Sequence, residues 1–198
     1  ATGQIIYQLL KELGAEPDPA AGEAIYAAIT TDTGDFTYSN TQKKSHQIVA
    51  ELYDWGCDFN KVSVEIYENV RVEKIRMHAG AMETLRLIGG GKGALVSVTQ
   101  KLLADTGAKM DESEGLAQDL RSISGVEFAA VLKEYGPENI RVSFRAKRLG
   151  NVAEIAANLG GGGHLKAAGC TIKAPMARAE AMVEKEILKA IERLETDE

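Results

Sequence analysis

Cysteine is scarce in this 198-residue chain: Cys57 and Cys170 stand far apart and without metal-type spacing. Free thiols in a reducing, cytoplasmic setting are the expected state. No apolar run approaches the ~20 residues of a membrane span, and no secretory pair of basic and apolar segments opens the chain. A basic excess is missing too, since 23 Lys and Arg stand against 29 Asp and Glu for a net charge of −6. Proteins that grip long nucleic acid through many phosphates carry a basic balance or a broad basic stripe. The acidic balance therefore favours a short ligand with one or two phosphates over a long polymer. At 44% hydrophobic and 26% charged residues the composition is that of an ordinary globular protein, one large domain or two small ones.

What is present is concentrated in one stretch. Leu159-Gly160-Gly161-Gly162-Gly163-His164-Leu165-Lys166-Ala167-Ala168-Gly169 sets four consecutive glycines before a histidine. Without Cβ the backbone can take positive φ and bring its amides close to a ligand, and free amides beside an imidazole suit a phosphate or another anion. A flexible linker is the plainer reading. The flanks speak for order: an apolar helix-like run from Val152 to Leu159 precedes the glycines, and a strand-like Cys170-Thr171-Ile172 follows. Upstream, residues 140–147 alternate, with Val142, Phe144 and Ala146 on one face and Arg141, Ser143, Arg145 and Lys147 on the other. Arginine offers a planar donor fork to phosphate, which makes Arg145, and after it Arg141, candidate grips, with the Ser143 hydroxyl on the same face. A solvated strand face is the alternative. Lys147, Arg148 and Lys166 complete the basic residues near this stretch. His164 suits a phosphate better than a metal, because no second metal-type ligand adjoins it in sequence.

Along the chain, Thr2–Leu13 reads as an amphipathic helix carrying Ile5, Ile6, Leu9, Leu10 and Leu13, with Gly14 as its stop. Residues 16–19 form a loop, and Ala20–Thr31 is a nearly all-apolar helix buried on most sides. Thr41–Trp55 and Asp58–Tyr67 are two further helices parted by Gly56; Arg71–Ile88 reads as one longer connecting helix with Ile75, Ala79, Met82 and Leu85 or Leu87 on its apolar side. Gly89-Gly90-Gly91-Lys92-Gly93 lacks the Gly-Lys-Ser/Thr ending of a phosphate loop and is read as a linker. Beyond it the pattern gives a strand (94–99), a helix (about 114–121), strands (126–134 and 140–146), a helix, a strand (168–173) and a final helix (176–194). The expected fold class is α/β, a helical first part followed by a domain with a mixed sheet, divided as 1–70, a connecting 71–93 and 94–198. Thr31-Asp32-Thr33-Gly34-Asp35-Phe36, taken alone, reads as a helix end with Gly34 in a left-handed cap. His46 and His78 read as surface histidines, and Tyr53, Trp55 and Tyr67 as helix packing.

Strand with arginines, helix, Gly-Gly-Gly-His and Ala-Ala-Gly together resemble the DHHA1 domain, the substrate-binding partner of DHH-family phosphoesterases. The beginning agrees independently: residues 1–7 and 24–36 resemble the last section of a DHH catalytic domain. The pattern is similar to the nano-RNase and pAp phosphatase branch, and the resemblance runs over essentially the whole chain. It implies an enzyme that hydrolyses very short oligonucleotides from an end, or removes the 3′-phosphate of pAp, with a two-metal centre of Mn²⁺ or Mg²⁺. Asp32 falls on the position of a metal-binding carboxylate, a hard ligand suited to such ions. Arg141, Ser143, Arg145, Gly161, Gly162, Gly163 and His164 fall on the substrate-binding positions, which would present the scissile phosphate across an interdomain cleft. No catalytic residue is assigned within the chain. The Asp-x-Asp motif, further Asp and Asp-His-His triplet of such enzymes do not occur in it, and it does not open with Met. It is therefore expected to be part of a longer polypeptide, poor as a catalyst alone, cytoplasmic and without membrane association. Uncovered apolar surface would favour a homodimer.

Three other readings stand beside this one. A RecJ-type single-strand exonuclease has both domains, usually with further nucleic-acid-binding parts. A cyclic-dinucleotide phosphodiesterase has them too, often behind a membrane segment. A non-catalytic nucleic-acid-binding module, of the kind attached to alanyl-tRNA synthetases, would need no counterpart of the Asp32 segment.

Overall fold

The computed structural model describes residues 1–16 and 18–196; Pro17, in the expected 16–19 loop, lies outside them. Two compact units divide the chain, Ala1–Val70 and Arg71–Glu198.

The first unit is helical: α1 (Thr2–Glu12), α2 (Pro19–Thr33), α3 (Lys43–Tyr53) and α4 (Phe59–Ser63), which runs on as a wider π-type turn over Val64–Glu68. The Asp18 carboxylate starts α2 by accepting the amides of Ala20 and Ala21 at 3.3 and 3.1 Å, with Pro19 at the first helical position. Ile25 and Ile29 of α2 pack with Tyr7, Ile48, Leu52 and Phe59 to form the core. The buried side of α1 is not the expected one. Gly3 and Tyr7 face inward, because α2 approaches so closely that a Cβ on Gly3 would sit 2.9 Å from the Ile25 carbonyl oxygen. Ile5, Leu9 and Leu13 are left 67%, 48% and 72% exposed along one line of the helix.

The second unit begins with α5 (Val72–Met82), β1 (Arg86–Ile88) and β2 (Gly93–Val98). The single helix expected over residues 71–88 therefore ends early. The Thr84 hydroxyl donates to the Ala81 carbonyl at 2.7 Å, and β1 turns back to pair antiparallel with β2, Arg86 opposite Leu95 and Ile88 opposite Gly93. Strand pairing outweighs helical propensity here, and Leu85 and Leu87 stay exposed. The run of glycines that reads as a linker is the turn of this hairpin: Gly89, Gly90 and Gly91 have φ of 56°, 64° and 86°, a left-handed succession that only glycine adopts cheaply. Residues 71–93 thus belong to the sheet unit rather than standing between domains.

The chain continues through α6 (Gln100–Thr106), α7 (Leu116–Ser122), β3 (Phe128–Gly136), β4 (Asn139–Ala146), α8 (Val152–Asn158), β5 (Gly162–His164), β6 (Ala167–Ile172) and α9 (Met176–Thr196). α6 is absent from the expected order of elements, although Thr99 accepts from its Leu102 amide at 3.1 Å and Gly107 ends it. The six strands lie in the order β1-β2-β3-β4-β6-β5; β2 and β3 are parallel and the other pairs antiparallel, giving the expected mixed sheet. One face is covered by α8 and α9, whose Val152, Ile155, Val183 and Ile187 pack on Phe128, Leu132, Val142, Phe144 and Ile172. On the other face Met77, Leu103, Leu116 and Leu120 pack on Ala94, Val96, Ala129 and Val131, and no residue of β4, β5 or β6 joins that core.

The glycine stretch is an edge hairpin, not a loop of free amides. The Gly160 and Gly161 amides donate to the Ala157 and Ala156 carbonyls of α8, and residues 162–164 pair with 167–169. A Cβ on Gly161 would lie 2.2 Å from the Gly169 oxygen, and one on Gly163 would lie 2.5 Å from the Ala168 Cα. Gly161→Ala is expected to cost about 1–3 kcal/mol in urea unfolding. Gly162→Ala, whose added methyl meets nothing within 4 Å, should change stability little.

Candidate functional site

On β4 the pleat turns Ile140, Val142 and Phe144 into the core under α8 and α9, so Arg141, Ser143 and Arg145 lie on the other face. There α7 packs across β3 and β4, but β6 and β5 lie beyond the helices that build that side's core. Register aligns the strands into rows. Arg145 stands opposite Ala167 and Ala167 opposite His164; Ser143 stands opposite Gly169 and Gly169 opposite Gly162; Arg141 stands opposite Thr171. Directly opposed residues share a face, so the sequence-predicted Arg141, Ser143, Arg145, Gly162 and His164 form one patch. His164 and Arg145 are two strands apart, about 10 Å between backbones. Ala167, Gly169 and Gly162 leave the space between them low. Gly161 and Gly163 support the hairpin instead of facing the patch.

Few of these groups are engaged by the protein itself. Arg145 makes one hydrogen bond through Nη1, to the Phe144 carbonyl at 3.0 Å. The Arg141 guanidinium lies 4.2 Å from the centre of the Tyr135 ring. Among the described residues no carboxylate forms an ion pair with Arg141, Arg145 or His164. Two other nearby cations have structural work. The Lys166 ammonium donates to the carbonyls of Arg148 (2.6 Å) and Gly150 (2.9 Å), and Lys147 donates to that of Ile123 at 2.8 Å. The Glu127 carboxylate meets the same turn from its amide side, accepting from Arg148, Leu149 and Gly150 at 2.8, 2.8 and 2.7 Å. A carboxylate on the amides and an ammonium on the carbonyls clamp residues 148–150. The Val152 amide then bonds to the Leu165 carbonyl at the hairpin tip.

Sequence reasoning missed Lys133. It is half-buried on β3, opposite Arg141, on the same face as Arg145. Desolvation holds its ammonium below the usual lysine range, with Arg145 pushing the same way and Glu114 opposing. The available signal was a cation ending the apolar run Phe128-Ala129-Ala130-Val131-Leu132.

The first unit carries Asp32, in the last turn of α2. Its carboxylate, half-exposed, accepts from Asn40 Nδ2 at 3.1 Å and lies 3.4 Å from the Ala1 amine. Asn40 also donates to the Asp32 carbonyl at 3.0 Å. Among the described residues no three His, Cys, Asp or Glu side chains gather to hold a metal ion. Asp32 supplies one hard oxygen ligand, and one carboxylate does not hold a two-metal centre. The following residues form an unusual turn. Gly34, Asp35 and Phe36 have φ of 55°, 52° and 61°, three successive left-handed residues of which two carry a Cβ. The Asp35 amide donates to the Thr30 carbonyl at 2.8 Å, and the Phe36 amide to Thr33 Oγ1 at 3.1 Å. The Thr30 hydroxyl donates to Asp35 Oδ1 at 3.1 Å; its one hydrogen being spent, the Tyr67 hydroxyl 2.9 Å away must be the donor to it. Phe36 stacks on His46 at 5.0 Å, so that surface histidine has a partner, while His78 is half-buried with Nε2 2.9 Å from the Glu112 carbonyl oxygen. Tyr7 and Trp55, and Tyr53 and Phe59, pack ring against ring.

The model of the DHHA1 domain matches residues 91–196, more than half of the chain. The chain belongs to the DHHA1 family. Its match takes in the whole row of Arg145, Ala167 and His164. The bifunctional oligoribonuclease and PAP phosphatase NrnA of Thermus thermophilus is 30% identical over 176 residues, covering 87% of this chain and 51% of that protein. The protein of that name from Bacillus subtilis is also 30% identical over 176 residues, with 87% of this chain and 55% of the relative covered. The chain thus spans about half the length of the curated relatives it matches. A crystal structure of an exopolyphosphatase-related protein from Bacteroides fragilis is 26% identical with a TM-score of 0.92, over 98% of this chain and 58% of that one.

Residues held at φ > 0 cost about 1–3 kcal/mol unless their surroundings compensate. Asp35→Asn keeps a side chain that tolerates this region and should change the unfolding free energy by less than about 0.5 kcal/mol. Asp35→Val should lose about 1–3 kcal/mol in the same denaturant titration.

Proposed function

We propose that this chain is the substrate-holding part of a phosphoesterase acting on short oligoribonucleotides or pAp, with His164 and Arg145 gripping a terminal phosphate. The observation that carries this reading is the row Arg145–Ala167–His164 on the sheet face that no helix core covers, with no carboxylate paired to either end. Arg145 offers a planar fork of donors to the phosphate oxygens and His164 a ring N–H from the opposite side. The Ser143 hydroxyl adds a donor in the neighbouring row, opposite Gly169. Gly162, Gly169 and Ala167 let the sugar lie close to the strands. Holding the phosphate at fixed donors supplies orientation, which is what a holding domain contributes to catalysis. The names of the relatives support the substrate class, and the acidic balance of the chain supports a short ligand over a long one. Asp32 is proposed as a contributor to a metal site; the described residues do not complete one, and no chemical step is derived through it.

The test is calorimetric titration of the chain with pAp and a 5′-phosphorylated dinucleotide. Binding should be weakened at least about tenfold by His164→Ala, equivalent to about 1.4 kcal/mol. A 30-nucleotide strand should bind no more tightly than the dinucleotide. Equal binding by the wild type and the variant, or a clear preference for the long strand, would turn the reading toward a nucleic-acid-binding module or a long-strand exonuclease.

A second reading concerns assembly and rests on α1. Ile5, Leu9 and Leu13 stand four residues apart, all exposed, as an apolar ridge of the kind that drives self-association. Sedimentation at about 100 μM is expected to show a dimer that Leu9→Glu dissociates; a wild-type monomer at that concentration would dismiss it.

A further inference from the structure

His164 stands on the outermost strand of the sheet. β5 has three residues, all exposed, and pairs on one side only, with β6. A hairpin of three pairs is marginal by itself. A chain of bonds from the start of β3 holds it. The Glu127 amide donates to the Lys92 carbonyl at 2.7 Å, and the Lys147 amide to the Glu127 carbonyl at 3.0 Å, which anchors Glu127 at the sheet. Its Oε1 gathers the amides of Arg148, Leu149 and Gly150. Gly150 passes so close to Phe128 that a Cβ would lie 2.4 Å from the ring. From the same three residues, the Arg148 and Gly150 carbonyls accept the Lys166 ammonium. Lys166 is two positions from His164, in the two-residue turn between β5 and β6. Both carbonyls of that turn are held too. Leu165 accepts from the Val152 amide at 3.0 Å and Lys166 from the Ala146 amide at 3.1 Å.

We infer that Glu127 and Lys166 are positioning residues for His164: they hold its imidazole in the row with Arg145, and neither touches the ligand. The inference rests on the proposed function for what His164 grips, but not for the tie itself. Residues 148–150 belong to no helix or strand, so no ladder of backbone bonds fixes them. Three amides on one carboxylate oxygen and two carbonyls on one ammonium do so instead, each contact being charge-assisted. A donor that grips a phosphate from an edge strand needs such support, since its geometry must hold to within about 0.5 Å. Lys166 is thereby taken out of the set of phosphate ligands that its charge and its place beside Gly-Gly-Gly-His suggest.

The experiment compares the wild type with Lys166→Met, Lys166→Arg, Glu127→Ala, His164→Ala and the double variant Lys166→Met/His164→Ala, all in the whole chain. It reads amide hydrogen exchange, the NMR resonances of the His164 ring, and calorimetric binding of pAp and the 5′-phosphorylated dinucleotide. In Lys166→Met the Val152 amide should exchange about tenfold faster or more and the His164 ring resonances should move, while the amides of β3 and β4 keep their protection. Binding should weaken about 3- to 10-fold. Lys166→Arg, whose fork also offers donors to two carbonyls, should restore most of the loss. Added to His164→Ala, Lys166→Met should weaken binding by less than about twofold more, because its effect runs through the imidazole. Glu127→Ala should act in the same direction, and Lys166→Met stands as the test where that variant fails to fold. Losses that add in the double variant would make Lys166 a direct phosphate ligand and overturn the inference. Unchanged Val152 exchange and His164 resonances in Lys166→Met would overturn it whether or not nucleotide binds. So would faster exchange throughout the chain with a lowered melting temperature. Exchange and resonances that change as expected, in a chain whose wild type binds neither ligand, would keep the positioning and discard the phosphate reading of His164.

Discussion

The register that β6 sets between β4 and β5 is the constraint on which the rest depends. Ala167 stands opposite both Arg145 and His164, and so two polar side chains 19 positions apart in sequence share one row. A slip of one residue on either side would turn one of them toward Phe144 and Ala168 in the core under α8 and α9. Glycine secures the register by exclusion. The backbones of Gly161 and Gly163 pass so close to Gly169 and Ala168 that no side chain fits between them. The same closeness keeps the patch low, since Gly162 and Gly169 add no side chain to the row beside it.

The helices then decide which face is open. Two of them, α8 and α9, cover one side of the sheet along β3, β4 and β6. On the other side the helix core is built on β2 and β3, with α7 reaching across to β4, so β4 alternates polar residues there where an evenly covered sheet would need apolar ones. Charge is distributed to match. A chain with six more acidic than basic residues still places Arg141 and Arg145 on this side of β4 without a carboxylate ion pair among the described residues, while Lys147 is drawn to the Ile123 carbonyl and Lys166 to those of Arg148 and Gly150. The clamp of Glu127 and Lys166 sets the turn that leads into α8 and, through Val152 and Leu165, the tip of the hairpin bearing His164.

The first unit shows another form of the same economy. Its turn after α2 keeps two non-glycine residues left-handed, held by the hydroxyls of Thr30 and Thr33, both fully buried. Such strain persists only where neighbours over-determine it, and it stands at the segment that carries Asp32.

Much was legible beforehand. The period-2 alternation of residues 140–147 gave β4 and both its faces, because a pleated strand must alternate whatever packs on it. The final helix expected over 176–194 is α9, which buries Ala179, Val183, Ile187 and Ile191, and Gly34 ends α2 in the expected left-handed cap. Where local signals competed with pairing, they lost. Residues 86–88 have helical neighbours but find β2, and Ile5, Leu9 and Leu13 make the apolar stripe of α1 while α2 selects the side bearing Gly3. Lys133 falls inside the expected strand 126–134 and drew no reading of its own. Sequence by itself determined which residues offer phosphate-binding chemistry and that an alternating strand and a glycine run carry them, because residue chemistry and backbone period are local properties. Only the tertiary structure decided that Arg145 and His164 share a row, that Lys166 faces carbonyls instead of solvent, and that Lys133 stands unpaired beside Arg141. Register, helix coverage and the loss of water around a charge arise only when distant segments pack.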